Sequence, residues 1–296
     1  MAAFKEIKKR INSIKSTRKT TSAMKMVSSA KLHKAESMIS NMLPYAESLH
    51  RIMEALLADN HTKRQPADNV YSGALNRERP LRNIAIVVFS SDSSLCGAFN
   101  SNVSRKLRNV VDNYRKSLAD ENIFVYTVGK KVYDAIRKTI AIAKNFENLA
   151  GKPDYNVIAD LADLLITRFE SREIDRVEMI YHHFKSAGSQ SLVNEQLLPV
   201  AFPAREAREK RDYVEYIFEP SREDTLKALI PKSIKSKLYA ALLDSNASEH
   251  AARMIAMQTA TDNADDLIDE LTVEYNKSRQ QAITNELLDI AGGSSM

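Results

Sequence analysis

The fold is decided by residues 4–56, which read FKEIKKRINSIKSTRKTTSAMKMVSSAKLHKAESMISNMLPYAESLHRIMEAL. A seven-residue register runs through this stretch without a skip, and twelve of its sixteen seam positions are apolar. These N-terminal seam positions are Phe4, Ile7, Ile11, Ile14, Arg18, Thr21, Lys25, Ser28, Leu32, Ala35, Ile39, Met42, Ala46, Leu49, Met53 and Leu56. The pattern predicts a long helix that packs along a narrow stripe against a second helix.

Four consecutive seam positions are polar, namely Arg18, Thr21, Lys25 and Ser28. Met24 and Val27 form an apolar strip that is displaced to one side of them. This interruption predicts that something other than a plain hydrophobic partner faces the stretch. Pro44 lies inside the register, and its ring is expected to bend or locally break the helix.

A second seam lies near the C-terminus, and ten of its thirteen positions are apolar. These C-terminal seam positions are Ala240, Leu243, Ala247, His250, Met254, Met257, Thr261, Ala264, Ile268, Leu271, Tyr275, Ser278 and Ala282. Ser221 and Asp224 form a capping-box-like start, and Gly292 with Gly293 is a helix stop signal. Pro231 is expected to kink the first turns or to mark the true start of the helix.

The two stripes are too narrow for either helix to be buried against a large core, and a lone helix of this kind is marginal in water. We therefore expect the two helices to pair as an antiparallel coiled coil. Charge favours this pairing, because residues 1–34 carry ten basic side chains against Glu6 alone, whereas residues 245–291 carry three basic and nine acidic side chains.

The middle of the chain has the pattern of an α/β domain. Residues 83–90 form a continuous buried-strand pattern, and further strands are predicted at 122–128, 176–185 and 191–200. Helices are predicted near residues 98–119, 130–143 and 155–171, so the strands are expected to form a mainly parallel, Rossmann-like sheet. The predicted organisation is a helix at 1–58, a linker at 59–82, an inserted α/β domain at 83–219, a second helix at 220–291 and a tail at 292–296.

Composition excludes several classes of protein. The chain has 296 residues, 44% of them hydrophobic, and a net charge of +5, so it is expected to fold and does not require nucleic acid as a partner. Its longest apolar run, at 84–89, is six residues long, whereas a membrane-spanning helix needs about 20. Cys96 is the only cysteine, which excludes an internal disulfide and favours a reducing compartment.

Familiar catalytic signatures are missing from the sequence, which contains no phosphate-binding loop, dinucleotide fingerprint, zinc-protease motif or nucleophile elbow. Residues 90–97 follow the first strand and could cradle an anion, but a tight strand-to-helix turn is the favoured interpretation. Cys96 in that turn is interpreted as a buried structural thiol. His182 and His183 are expected on opposite faces of a strand, so no shared metal is predicted.

The basic N-terminal segment has three interpretations. A mitochondrial transit peptide is disfavoured, because lysine outnumbers arginine there and because cleavage would destroy the seam. A solvated face and a nucleic-acid-binding face both remain, although the acidic C-terminal helix argues against nucleic acid. Beside a nucleic-acid-binding protein, a small-molecule enzyme built on the α/β domain is kept as an alternative function.

Five stretches of the terminal helices form a specific motif set: residues 11–27 (INSIKSTRKTTSAMKMV), 248–257 (SEHAARMIAM), 260–264 (ATDNA), 275–280 (YNKSRQ) and 283–287 (ITNEL). Beside these stretches on the two terminal helices, Leu95-Cys96-Gly97 in the middle of the chain also matches. On these residues the chain resembles the gamma subunit of F-type ATP synthases along essentially its whole length. Members of that family commonly have Arg-Gly where this chain has Ser93-Ser94, and alanine where it has Ser294.

The resemblance implies a non-catalytic central rotor stalk, which couples rotation of a membrane c ring to ATP synthesis or hydrolysis in a ring of alpha and beta subunits. By motif match, the residues expected to face that ring are Met24, Lys25, Arg253, Gln280, Thr284 and Glu286. The residues expected to meet the c ring and the epsilon subunit are Arg205, Glu206, Arg208 and Tyr213. No cofactor, no nucleic-acid partner and no direct transmembrane segment is expected.

The resemblance also indicates where the protein works. Chloroplast members carry a redox-regulated cysteine pair, which the single Cys96 excludes here. With no precursor extension before the usual start of the family, we expect a bacterial protein of a proton-translocating complex, peripheral on the cytoplasmic side of the plasma (inner) membrane.

Overall fold

A computed structural model describes residues 2–58, 75, 78–200, 219 and 221–293 of the chain. Its helices are α1 (Ala2–Ala58), α2 (Phe99–Tyr114), α3 (Lys130–Ile136), α4 (Tyr155–Glu170) and α5 (Arg222–Gly293). Its strands are β1 (Ile84–Phe89), β2 (Ile123–Val128), β3 (Ile142–Phe146), β4 (Arg176–Ser186) and β5 (Ser189–Leu198). A 3-10 turn at Asp120–Asn122 precedes β2.

The five strands form one sheet in the order β3-β2-β1-β4-β5. β1 pairs in parallel with β2 and β4, and β2 pairs in parallel with β3. Among the described strands, only β5, which is joined to β4 by a hairpin, is antiparallel. The predicted fold class, a mainly parallel α/β domain between two long terminal helices, is confirmed.

Both faces of the sheet are covered, which explains why every residue of β1 is fully buried. Ile84, Ile86 and Val88 of β1 face a core formed with α2 and α3. The intervening Ala85, Val87 and Phe89 face a second core formed with α4 and with α5 near Leu238. The uniformly apolar sequence of β1 is therefore the signature of a strand buried on two sides.

Two expectations about the α/β domain were wrong in detail. The helix predicted at 130–143 ends at Ile136, and residues 142–146 instead form the edge strand β3. Its sequence IAKNF is only half-buried and has no clean alternation, so local pattern alone does not reveal a strand. The helix predicted at 98–119 ends earlier, at Tyr114.

The terminal helices follow the predicted seams closely. Every N-terminal seam position from Ile7 to Leu56 is buried or half-buried except Arg18, and every C-terminal seam position is buried or half-buried. The predicted capping-box-like start is present in its N-cap contact, because Ser221 Oγ accepts a hydrogen bond from the Asp224 backbone N–H at 3.1 Å. Neither proline breaks its helix, since α1 continues through Pro44 and α5 through Pro231.

The described chain divides into two compact units. The helix-pair unit contains α1 up to Ala30 and α5 from Arg253, and the α/β unit spans Lys31–Ala252. The predicted domain boundaries remain predictions, and most of the linker at 59–82 lies outside the described residues.

One expectation about α5 needs correction. Its stripe was expected to be too narrow for burial in a large core, yet within the α/β unit residues 241–251 are buried on all sides, with only Asp244 partly exposed. Five of these eleven residues are alanine or serine, and such small side chains allow neighbouring elements to approach the helix closely.

Candidate functional site

In the helix-pair unit, α1 and α5 meet through a polar layer formed by Arg18, Thr21, Thr261 and Asp265. The hydroxyl oxygens of Thr21 and Thr261 lie 2.8 Å apart. Each hydroxyl is also within hydrogen-bond distance of a carbonyl of its own helix, that of Arg18 or Met257. Because each hydroxyl carries one proton, one threonine donates across the interface while the other donates to its own backbone.

An ion pair fixes the direction of the two helices. Arg18 Nε lies 2.5 Å from Asp265 Oδ1, so moving back along α1 from Thr21 corresponds to moving forward along α5 from Thr261. The helices are therefore antiparallel, as predicted. Both side chains are about half exposed, at 50% and 44%, so the pair contributes to geometry more than to stability.

The Thr21–Thr261 contact also sets the register of the seam. Counting outward places Ile14 opposite Ile268 and Ile11 opposite Leu271. Ile11 and Leu271 are 9% and 5% exposed, as expected for facing members of an apolar seam. The two seams read separately from the sequence therefore match position for position in this unit.

In this register α5 is longer than its partner. The start of α1 at Ala2 falls opposite Gln280, whereas α5 continues to Gly293. This single-helix tip, residues 281–293, carries exposed apolar side chains, namely Ile283, Leu287, Leu288 and Ile290. Ile283 and Leu287 belong to the 283–287 motif, but nothing in the seam pattern predicts that these four side chains are exposed.

A second outward apolar feature lies beside the polar layer. Of the displaced strip predicted at Met24 and Val27, Met24 is half-buried whereas Val27 is 57% exposed, and the adjacent Met26 is 68% exposed. A cleft of about 320 Å³ lies next to it, lined by Arg18, Lys19, Ser22, Ala23, Met26 and Thr261. Cationic and apolar groups are thus presented together on one side of the helix pair.

The residues predicted to face a partner ring lie at two levels of the helix-pair unit. Met24 and Lys25 are half-buried, Arg253 is buried, and Gln280 and Thr284 are exposed. From Arg253 to Gln280 the helix rises by about 40 Å. Glu286 lies in the tip, but its side chain is outside the described residues, as are Arg205, Glu206, Arg208 and Tyr213.

The turn after β1 is the tight strand-to-helix turn that was predicted. Leu95 and Gly97 both have positive φ, and Cys96 is 2% exposed, with Asn100 Nδ2 donating to its sulfur at 3.2 Å. Asp92 in the same turn accepts backbone N–H bonds from Lys130, Asn148 and Gly151. Its carboxylate thereby connects the loops that follow β1, β2 and β3.

The histidines at the end of β4 have separate surroundings. His182 is buried and stacks on Phe99 with ring centroids 4.3 Å apart. Burial lowers the pKa of His182 to about 4, so its ring is neutral near pH 7. His183 points to the other face, where its Nδ1 lies 2.6 Å from Asp244 Oδ2 on α5.

These features describe a protein in which two terminal helices pair and an α/β domain is inserted between them. A family model described as ATP synthase matches residues 3–295. The ATP synthase gamma chain of Bacteroides fragilis is 52% identical over 99% of both chains, and that of Bacteroides thetaiotaomicron is 50% identical over 99% of both. The chain belongs to the ATP synthase gamma chain family.

Solved structures show the same fold at low sequence identity. A chain of the Euglena gracilis mitochondrial ATP synthase, in a structure of OSCP, F1 and the c-ring, has a TM-score of 0.66 at 18% identity, with 99% of this chain and 94% of that chain covered. A chain from the central stalk and c-ring of Tetrahymena thermophila mitochondrial ATP synthase has a TM-score of 0.60 at 23% identity, with 81% and 99% covered.

Proposed function

We propose that this chain is the central rotor stalk subunit of a proton-translocating F-type ATP synthase. It is a non-catalytic subunit that mechanically couples rotation of the c ring to ATP synthesis or hydrolysis in the alpha/beta ring. The observation that carries the proposal is the antiparallel pairing of α1 and α5 through Thr21–Thr261 and Arg18–Asp265, with α5 extending past the start of α1.

Asymmetry of the helix pair gives this function a physical basis. A moving surface shifts a neighbouring subunit between two states only if it contacts those states differently. Around the pair, one side presents the cationic cleft with Met26, and the tip presents a single apolar helix. Rotation of such a surface inside a ring brings different chemistry to each ring subunit in turn.

We assign the contacts with the alpha/beta ring to two levels. Met24 and Lys25, together with Arg253, form the level near the polar layer, and Gln280, Thr284 and Glu286 form the level near the tip. Exposure of Gln280 and Thr284 supports the second level directly. The burial of Arg253 implies that this side chain acts mainly by holding its surroundings in place.

The remaining contacts complete the proposed assembly. Arg205, Glu206, Arg208 and Tyr213 are assigned to the c ring and the epsilon subunit. The complex is membrane-associated, and we place this subunit at the plasma membrane on the cytoplasmic side. None of the helices in the described part of the chain has a stretch long and apolar enough to cross a bilayer.

No described feature favours the nucleic-acid alternative. The basic part of α1 lies beside an acidic part of α5, where Arg18 is paired with Asp265. That arrangement reduces the positive field on which phosphate binding depends.

Reconstitution tests the proposal. Purified alpha and beta subunits are mixed with or without this chain, and complex formation and ATPase activity are measured. A stable complex with stimulated ATPase activity is expected, whereas neither association nor stimulation would contradict the proposal.

A matched pair of variants tests the assignment of Met24. Met24→Lys adds a charge at the proposed ring contact and is expected to lower ATP-driven proton pumping in the whole complex. Met38→Lys makes the same change at another half-buried position of α1 and serves as the control. Equal pumping by the two variants would remove Met24 from the contact surface.

A further inference from the structure

The crevice at the carboxyl ends of the strands is occupied by the chain itself. In open α/β sheets, ligands bind beyond these ends where the strand order reverses, here between β1 and β4. In this protein the buried stretch of α5 at 241–251 makes contacts there. Ser248 Oγ donates to the His182 carbonyl on β4 at 3.3 Å, and Asn246 Nδ2 donates to the Ala150 carbonyl after β3 at 2.6 Å.

These contacts hold α5 from opposite sides. With 3.6 residues per turn, Asn246 lies about 200° around the helix from Asp244, whereas Ser248 lies only about 40° from it. Asp244 and Ser248 therefore share the face toward β4, where Asp244 meets His183. Asn246 occupies the other face, toward the loop after β3.

The same two-sided arrangement occurs a few turns earlier along α5. Lys237 lies on the Asp244 side of the helix, and its Nζ is 2.7 Å from Glu195 Oε1 on β5. Lys235 lies on the opposite side, and its Nζ is 2.8 Å from Asp163 Oδ2 on α4. Polar contacts on opposite sides of α5 therefore occur at two places along the helix within the α/β unit.

Rotation of a helix about its own axis is opposed best by directional contacts on opposite sides. Apolar packing is non-directional, and the neighbouring side chains of Ala241, Ala247 and Ala251 are small. Hydrogen bonds weaken steeply when their angles change, and Ser248 and Asn246 make theirs at 0% and 7% exposure. Rotation of α5 about its axis within the α/β unit would therefore strain the contacts on both faces of the helix at once.

We infer that Ser248, Asn246 and the His183–Asp244 pair form a torsional joint, which fixes the rotational angle of α5 in the α/β domain. Torque applied to the domain then turns the helix without slippage. This inference rests on the proposed rotor function, and it assigns to these residues a positioning role.

The test measures torsional stiffness in the assembled complex. The alpha/beta ring is fixed to a surface, a bead is attached through a cysteine introduced at the exposed Lys138, and the angular variance of the bead is recorded during pauses. Ser248→Ala and Asn246→Leu each remove one contact. We expect the variance to increase in each variant and to be largest in the double variant.

Ser245→Ala is the matched control, because the Ser245 hydroxyl is buried but has no hydrogen-bond partner among the described residues. It makes the same change as Ser248→Ala on the same stretch of helix and is expected to leave the variance at the wild-type value. A thermal unfolding midpoint for each variant separates loss of stiffness from loss of folding.

The outcomes are distinguishable. If the double variant fails to assemble, Ser248→Ala alone carries the test, since it deletes a single oxygen atom. Rotation with unchanged variance in Ser248→Ala and Asn246→Leu would refute the joint and leave the rotor function standing. Failure of the wild-type chain to assemble or rotate would instead refute the proposed function.

Discussion

Leu271→Ala provides a quantitative test of the helix pairing. Leu271 is 5% exposed and faces Ile11, which is 9% exposed. The substitution removes three carbons from the seam, which at about 0.8 kcal/mol each predicts a loss of about 2–3 kcal/mol. This expected loss of stability lies in the lower part of the range that is usual for leucine-to-alanine substitutions in protein cores, because an open two-helix seam can collapse around the cavity.

The loss is measured as local opening rather than global unfolding. Hydrogen exchange of backbone amides in residues 5–17 of α1 reports directly on a partner that lies far away in sequence. At about 1.4 kcal/mol per tenfold change, the protection of these amides is expected to fall roughly 30- to 140-fold.

A neighbouring residue supplies the control for this experiment. Val273 is 70% exposed on the same helix, so Val273→Ala is expected to change stability by no more than about 0.5 kcal/mol. Unchanged exchange in α1 for Leu271→Ala, or the same change for both variants, would show that α1 and α5 are not paired in this register.

Three further predictions concern the α/β unit. Gly129→Ala would place a Cβ 2.6 Å from the Ser90 carbonyl oxygen at a φ of +96°, so a loss of at least about 3 kcal/mol is expected in urea unfolding. Because the pKa of His182 is lowered to about 4, stability is expected to be full above pH 6.5 and to fall by up to about 3 kcal/mol between pH 6.5 and 4. His182→Leu should flatten that part of a pH series of urea midpoints. Cys96, at 2% exposure, should react with a maleimide only after denaturation, and fast labelling of the native chain would contradict its burial.

The seams could be predicted from the sequence because each helix of a pair has its own seven-residue repeat of apolar residues. Ile11 and Leu271 each recur in a seven-residue pattern, and either pattern can be read without knowledge of the other. The continuous apolar run of β1 likewise indicates a strand covered on both faces, because such a strand has no polar side to show.

Other features depend on contacts between residues far apart in the chain. β3 is a short edge strand, so its half-buried sequence lacks the alternation that marks a strand. Asn246 donates to a carbonyl 96 positions away, and no local pattern identifies that acceptor. The exposed tip of α5 is recognised only once the register shows that α1 begins opposite Gln280.

Helix α5 contains both the buried polar contacts in the α/β unit and part of the polar layer in the helix-pair unit. Residues 232–291 contain neither glycine nor proline, so this part of the helix has none of the residues at which helices usually kink. The same continuous helix carries the buried contacts at Asn246 and Ser248 and, further along, the polar layer at Thr261. The sequence of α5 therefore combines small and polar side chains where the helix is buried in the α/β unit with a long stretch that contains neither glycine nor proline.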